Sequence, residues 1–140
     1  TNQCDMQGPC PVISTGNRYC YRAQCYASTE AIANMLSLEA TEYSVSFQSR
    51  LGRTPWIKPY TDLVLPELYA KGVRKLALIS PSFVADCLET LEEIGIRSKA
   101  QWLELGGEDL MLIPCLNAED VWIDGLTRIL QEKTKAQLLT

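Results

Sequence analysis

The sequence contains no histidine. That absence excludes a Ser-His or Cys-His catalytic pair within the chain, and any zinc site that needs an imidazole. A surplus of positive charge is missing as well. The net charge is −4, with no run of lysine or arginine, which argues against a nucleic-acid surface or a polybasic membrane patch. No apolar stretch approaches the roughly 20 residues that a membrane-spanning helix requires. The opening residues have neither an initiator methionine at Thr1 nor the basic and apolar regions of a signal peptide, so the expectation is a piece of a longer chain.

What is present is enough for one domain, since 140 residues can bury a core but hardly divide into two. Residues 1–25 form a cysteine-rich, turn-rich segment, with Gly8-Pro9, Pro11 and Gly16-Asn17. It leads into a domain over 21–140. Apolar residues recur at helical spacing over 21–38. Tyr43-Ser44-Val45-Ser46-Phe47 alternates like a strand, and 49–60 is a loop punctuated by glycine and proline. Thr61-Asp62 reads as a helix N-cap and Gly72 as its C-terminal stop, with Pro66 predicting a kink or a later start. Short apolar strands follow at 75–79 and 110–113. Between them helices are expected over 83–94 and 99–105, and Asn117 is expected to cap a last helix reaching about residue 133. Alternation of strand and helix predicts an α/β fold, a Rossmann-like parallel sheet flanked by helices. Ligands of such sheets sit beyond the carboxyl ends of the strands, which here are 48–50, 80–82 and 114–117.

Three groups of residues at or near those ends could carry chemistry. Asp86, Glu89 and Glu93 are spaced to share one helical face. Repelling carboxylates at that spacing suit a solvated surface, or else a cation or a shared proton. The loop Phe47-Gln48-Ser49-Arg50-Leu51-Gly52-Arg53-Thr54-Pro55-Trp56 sets a tryptophan beside arginines. A flat apolar platform with cationic donors fits a planar anionic ligand, the alternative being that Trp56 plugs the core. Cys4, Cys10, Cys20 and Cys25 crowd the irregular start, where four thiols could hold a 2Fe–2S cluster or a zinc ion, or remain free or disulfide-linked. No Cys-x2-Cys pair is among them. Cys87 and Cys115 lie in apolar contexts and read as small buried hydrophobes.

The loop motif, followed by Pro59-Tyr60-Thr61-Asp62 and by Pro81-Ser82-Phe83-Val84-Ala85-Asp86-Cys87-Leu88-Glu89-Thr90-Leu91-Glu92-Glu93, resembles the C-terminal half of the ferrochelatases. Two motifs agree in order and separation, over about 21–129. The resemblance implies one of two Rossmann-like halves flanking a porphyrin cleft, with the first strand of this half missing, and an enzyme that inserts ferrous iron into protoporphyrin to form haem. It implies that Glu89 faces the macrocycle and that Glu93 and Asp86 belong to a metal or proton path. Gln48, Ser49, Arg50 and Trp56 would form the porphyrin-side loop. Cys4, Cys10, Cys20 and Cys25 would hold the 2Fe–2S cluster of some bacterial members. A cytoplasmic location follows, with at most peripheral membrane contact, and the missing N-terminal half as partner.

The chain also departs from that family. The family's active-site histidine lies upstream of these residues, and a position that is histidine in many relatives is Cys87 here. The expectation is that this chain alone is inactive. The alternative reading is a non-catalytic iron–sulfur binding or sensing module.

Overall fold

The computed structural model of the protein describes residues 10, 12–48 and 56–138. In order these form α1 (Tyr21–Met35), α2 (Thr61–Ala70), β1 (Lys75–Leu78), a π-helix (Glu89–Ser98), α3 (Lys99–Glu104), β2 (Asp109–Leu112) and α4 (Asp120–Leu138). The strands pair in parallel, Lys75 opposite Asp109 through Leu78 opposite Leu112. The α/β class is as expected. Among the described residues no helix is long and apolar enough to cross a membrane.

The core sits where α2 and α3 meet the sheet. Leu65, Trp102 and Leu110 form its centre, with Leu68, Tyr69, Val73, Leu76, Leu78 and Leu105 packed around them. Trp102 is the tryptophan that plugs the core, at 0% exposure, whereas Trp56 is 41% exposed. The Trp102 ring meets Tyr69 edge-on, with centroids 6.1 Å apart. Its indole N–H donates to the Arg74 carbonyl at 3.1 Å, so the ring's one polar atom is satisfied in the interior. Gly107 makes room for it, since a Cβ there would collide with the Trp102 indole.

Four sequence-based expectations are corrected by the structure. Helix α2 begins at Thr61 and continues through Pro66. Proline has no N–H to give the carbonyl four residues back, that of Asp62. Gln101 of α3 supplies the replacement, its Nε2 donating to Asp62 O at 2.7 Å. Gly72 lies one residue beyond the C-cap with φ +91°, as the C-terminal stop requires.

The segment 43–47 forms no extended strand. It makes one parallel bridge, Phe47 to Tyr60, with Phe47 N–H donating to Pro59 O at 2.8 Å and Thr61 N–H to Phe47 O at 3.0 Å. Pro59 has no N–H to donate, so the ladder cannot extend past it on that side.

The helix expected over 83–94 is replaced by turns up to Leu88 and then the π-helix, which runs directly into α3. Asp86 is therefore off the helix, and its carboxylate does not share a helical face with Glu89 and Glu93. The physical reason is tertiary: Asp86 is bonded to Asn117 and to the Cys115 N–H across the strand ends, which holds it off the helical course. Asn117, finally, does not cap α4. It holds φ +47° in the preceding turn, and the helix starts at Asp120.

Gly107→Ala is expected to lower folding stability by about 1–3 kcal/mol, the usual range for overpacking a filled core. Urea denaturation measures this. A loss under about 0.5 kcal/mol, typical of neutral surface changes, would mean that the indole has space to retreat.

Candidate functional site

The site is built at the carboxyl ends of the two strands. The segments leaving β1 and β2 are joined by Ile113 N–H donating to Leu78 O at 2.9 Å and Asn117 N–H to Val84 O at 2.8 Å. Asp86 then locks them. Its Oδ2 accepts from Asn117 Nδ2 at 2.8 Å, and its own N–H donates to Asn117 Oδ1 at 2.9 Å. Its Oδ1 accepts from Thr90 Oγ1 at 3.0 Å and from the Cys115 N–H at 3.3 Å. Thr90 is fully buried, and its hydroxyl in turn accepts from the Cys87 N–H at 3.0 Å. Every oxygen of the Asp86 carboxylate is thereby committed to holding the start of the π-helix against the end of β2.

Glu89 is the first residue of that π-helix. The Cys87 thiol, and then its own backbone N–H, hold its carboxyl below the usual glutamate range. Cys87 is half-buried rather than buried, and its backbone N–H donates to Thr90 Oγ1. Cys115 fits its expected role. It is 8% exposed, and burial followed by the neighbouring Asp86 pushes its thiol pKa up, which keeps it protonated and inert.

Glu93 follows along the same helix and is held by Arg97, whose Nη2 lies 3.9 Å from its Oε1. Arg97 Nε also donates to Glu92 Oε2 at 2.9 Å. Gln48 reaches this helix from the opposite wall. Its Nε2 donates to the Glu89 carbonyl at 2.6 Å and lies 3.5 Å from Glu93 Oε2. Between the walls is an open cleft of about 340 Å³, lined by Phe47, Gln48, Tyr60, Glu93, Arg97 and Gln101 among others. Ser49 and Arg50 lie outside the described residues. Trp56 stands at the far end of that loop, and its carbonyl accepts from Tyr60 Oη at 3.3 Å.

Arg22 is a residue that sequence reasoning missed. At 5% exposure its guanidinium donates to the Lys58 carbonyl (3.1 Å), to Cys10 Sγ (2.8 Å) and to Tyr26 Oη (3.2 Å), and it stacks over the Tyr26 ring. It ties helix α1 and the cysteine-rich segment to the loop that carries Trp56. A single arginine in a helical window gives no sequence signal of burial. Thr90 and the Asn117 side chain were missed for a similar reason, since their roles are tertiary.

Of the cysteines, Cys4 lies outside the described residues. Cys10, Cys20 and Cys25 are half-buried and not joined in disulfides. Cys20 immediately precedes α1, and Cys25 lies within it, its Sγ 3.6 Å from Ser82 Oγ. Among the described residues no group of three or more cysteine or acidic side chains is gathered closely enough to hold a metal ion. The placed thiols therefore do not by themselves make a cluster site.

Known proteins supply the family. The sequence model of the ferrochelatases matches residues 8–134, nearly the whole chain. The chain belongs to the ferrochelatase family. It is 52% identical over 132 residues to a ferrochelatase of Legionella pneumophila, covering 93% of this chain and 40% of that protein. It is 52% identical over 126 residues to a ferrochelatase of Coxiella burnetii, covering 90% of this chain and 36% of that protein. The chain thus spans about two fifths of the length of the curated ferrochelatases it matches.

The Asp86 contacts predict a pH dependence of stability. Its carboxyl is held below the usual aspartate range, by the Asn117 amide foremost and with further help from Thr90 and the Cys115 N–H. A lowered folded-state pKa contributes stability that is present above the unfolded value of about 3.9 and is lost as pH falls through the folded value. Asp86→Asn should therefore flatten the loss of stability below about pH 4, while lowering stability at neutral pH. Urea midpoints measured across pH read both effects. Parallel pH curves for the two proteins would show that Asp86 is not clamped.

Proposed function

We propose that the protein carrying this chain is a ferrochelatase, inserting ferrous iron into protoporphyrin IX to form haem, with this chain as its C-terminal half. The carrying observation is geometric: Glu89 and Glu93 stand on one π-helix at the strand ends, facing the wall that carries Gln48. Metallation replaces two pyrrole protons by one ferrous ion, so the site needs a base at the ring as iron enters. Glu89 takes the role of proton acceptor, with Glu93 next along the helix to receive a proton or approach the cation. Asp86 serves this pair by fixing where the helix begins. Gln48, Ser49, Arg50 and Trp56 form the porphyrin-side loop, where Arg50 suits a propionate and the exposed Trp56 offers a flat apolar face.

The N-terminal half supplies the rest, including the histidine this chain lacks, and residues 1–25 and 21–140 are the cysteine-rich segment and the α/β domain of this half. The chain alone is inactive. The quartet Cys4, Cys10, Cys20 and Cys25 holds a 2Fe–2S cluster in this reading, which rests on spacing and on resemblance to cluster-bearing bacterial members. A cytoplasmic location with peripheral membrane contact at most belongs to the same reading. The dense cysteines and the missing histidine support one alternative, an iron–sulfur binding or sensing module without catalysis.

Anaerobic incubation of the full-length protein with protoporphyrin and ferrous iron, followed by haem absorption, is the test. Glu89→Gln should lower turnover by about 10²–10⁴-fold, the usual contribution of a positioned proton-transfer group. Unchanged turnover would remove Glu89 from the chemistry. The cluster is checked separately, by electron paramagnetic resonance of the reduced protein with iron and sulfide quantified. About two irons per chain is the expected content for a 2Fe–2S site, and a colourless, iron-free protein would exclude it.

A further inference from the structure

We infer that Gln48 is a positioning residue of the reaction, a latch that aligns the π-helix carboxylates with the porphyrin-side loop, and not a residue that contacts porphyrin. The inference rests on the function proposed above and deepens it. Both groups facing the Gln48 amide, the Glu89 carbonyl at 2.6 Å and the Glu93 carboxylate oxygen at 3.5 Å, can only accept hydrogen bonds. The amide nitrogen must therefore face them, and it is spent on the helix.

The surroundings leave Gln48 little freedom to turn elsewhere. The preceding residue, Phe47, is bonded through both its N–H and its carbonyl to 59–61, and its ring lies 6.4 Å from those of Tyr21 and Tyr26. Ser46 Oγ lies 3.0 Å from Thr61 Oγ1. The segment 46–48 is thus sewn to the base of α2 on one side, and Gln48 extends the seam to the π-helix on the other. The contact with Glu89 is to its backbone, so it fixes the helix rather than the carboxylate. Glu93 is gripped from two directions, by Gln48 at Oε2 and by Arg97 at Oε1. A residue so placed fixes the start of the helix at Glu89 and the direction of the Glu93 side chain.

Gln48→Leu removes the donor at similar volume, and Gln48→Glu keeps the shape while placing a carboxylate against two acceptors. In the full-length protein both should lower kcat for iron insertion, Gln48→Leu by about tenfold, the effect of one lost hydrogen bond to a positioned group. The KM for porphyrin should stay within about twofold, well below what loss of such a bond to the ligand would cause. Gln48→Glu should in addition move the acidic limb of the kcat pH profile upward, because a second carboxylate beside Glu93 raises the proton affinity of the pair. A rise in KM with kcat preserved would make Gln48 a porphyrin contact and overturn the latch, leaving the proposed function standing.

Amide hydrogen exchange of the peptide covering 87–98 decides the point without any activity. Faster exchange there in Gln48→Leu, with α2 and the strands protected as in the parent, supports the latch even if the parent inserts no iron. Unchanged exchange, or loss of protection throughout the molecule, overturns it.

Discussion

The structure depends on one carboxylate. Asp86 receives hydrogen bonds from the Asn117 amide, the Thr90 hydroxyl and the Cys115 N–H, and so joins the segments leaving both strands to the start of the π-helix. Hydrogen bonds to a charged acceptor are stronger than those between neutral groups, and here they are made where the chain leaves its regular elements. Without that anchor nothing local dictates that helical winding begins at Glu89. The charge pattern that looked like three equivalent acids on one face is thus divided between one acid that builds and two that are presented.

The presented pair is supported from several sides. Gln48 holds the Glu89 backbone, and Arg97 and Gln48 share Glu93. Behind the loop, Arg22 fastens α1 and Cys10 to Lys58. A π-helix spaces its hydrogen bonds five residues apart and is rarely sustained, being found mostly where function requires it. Ten consecutive residues of it, Glu89–Ser98, need such supports.

The alternation of strand and helix made the α/β class legible, because hydrophobic runs such as 75–79 and 110–113 need no tertiary information. The same holds for Gly72 as the stop of α2. What stayed hidden was decided by contacts between distant residues. Pro66 sits inside α2 because Gln101 repairs the bond it removes. The 43–47 alternation yields one bridge because its partner carries Pro59. Which tryptophan fills the core cannot be read from flanking residues, because it depends on Gly107 leaving space for the Trp102 indole. At the site, the order and spacing of the loop and acidic motifs identified the family, which nearly the whole chain confirms by its match to the ferrochelatases. The division of labour among Asp86, Glu89 and Glu93 was not legible, since it depends on Asn117, a residue 31 positions away.

A crystal structure of the full-length protein with a porphyrin bound tests the account most directly. It should show the Glu89 carboxylate facing the macrocycle, with Asp86 still bonded to Asn117 and Thr90. Asp86 turned toward the ring with its bond to Asn117 broken, or Glu89 directed away from the porphyrin, would contradict the account.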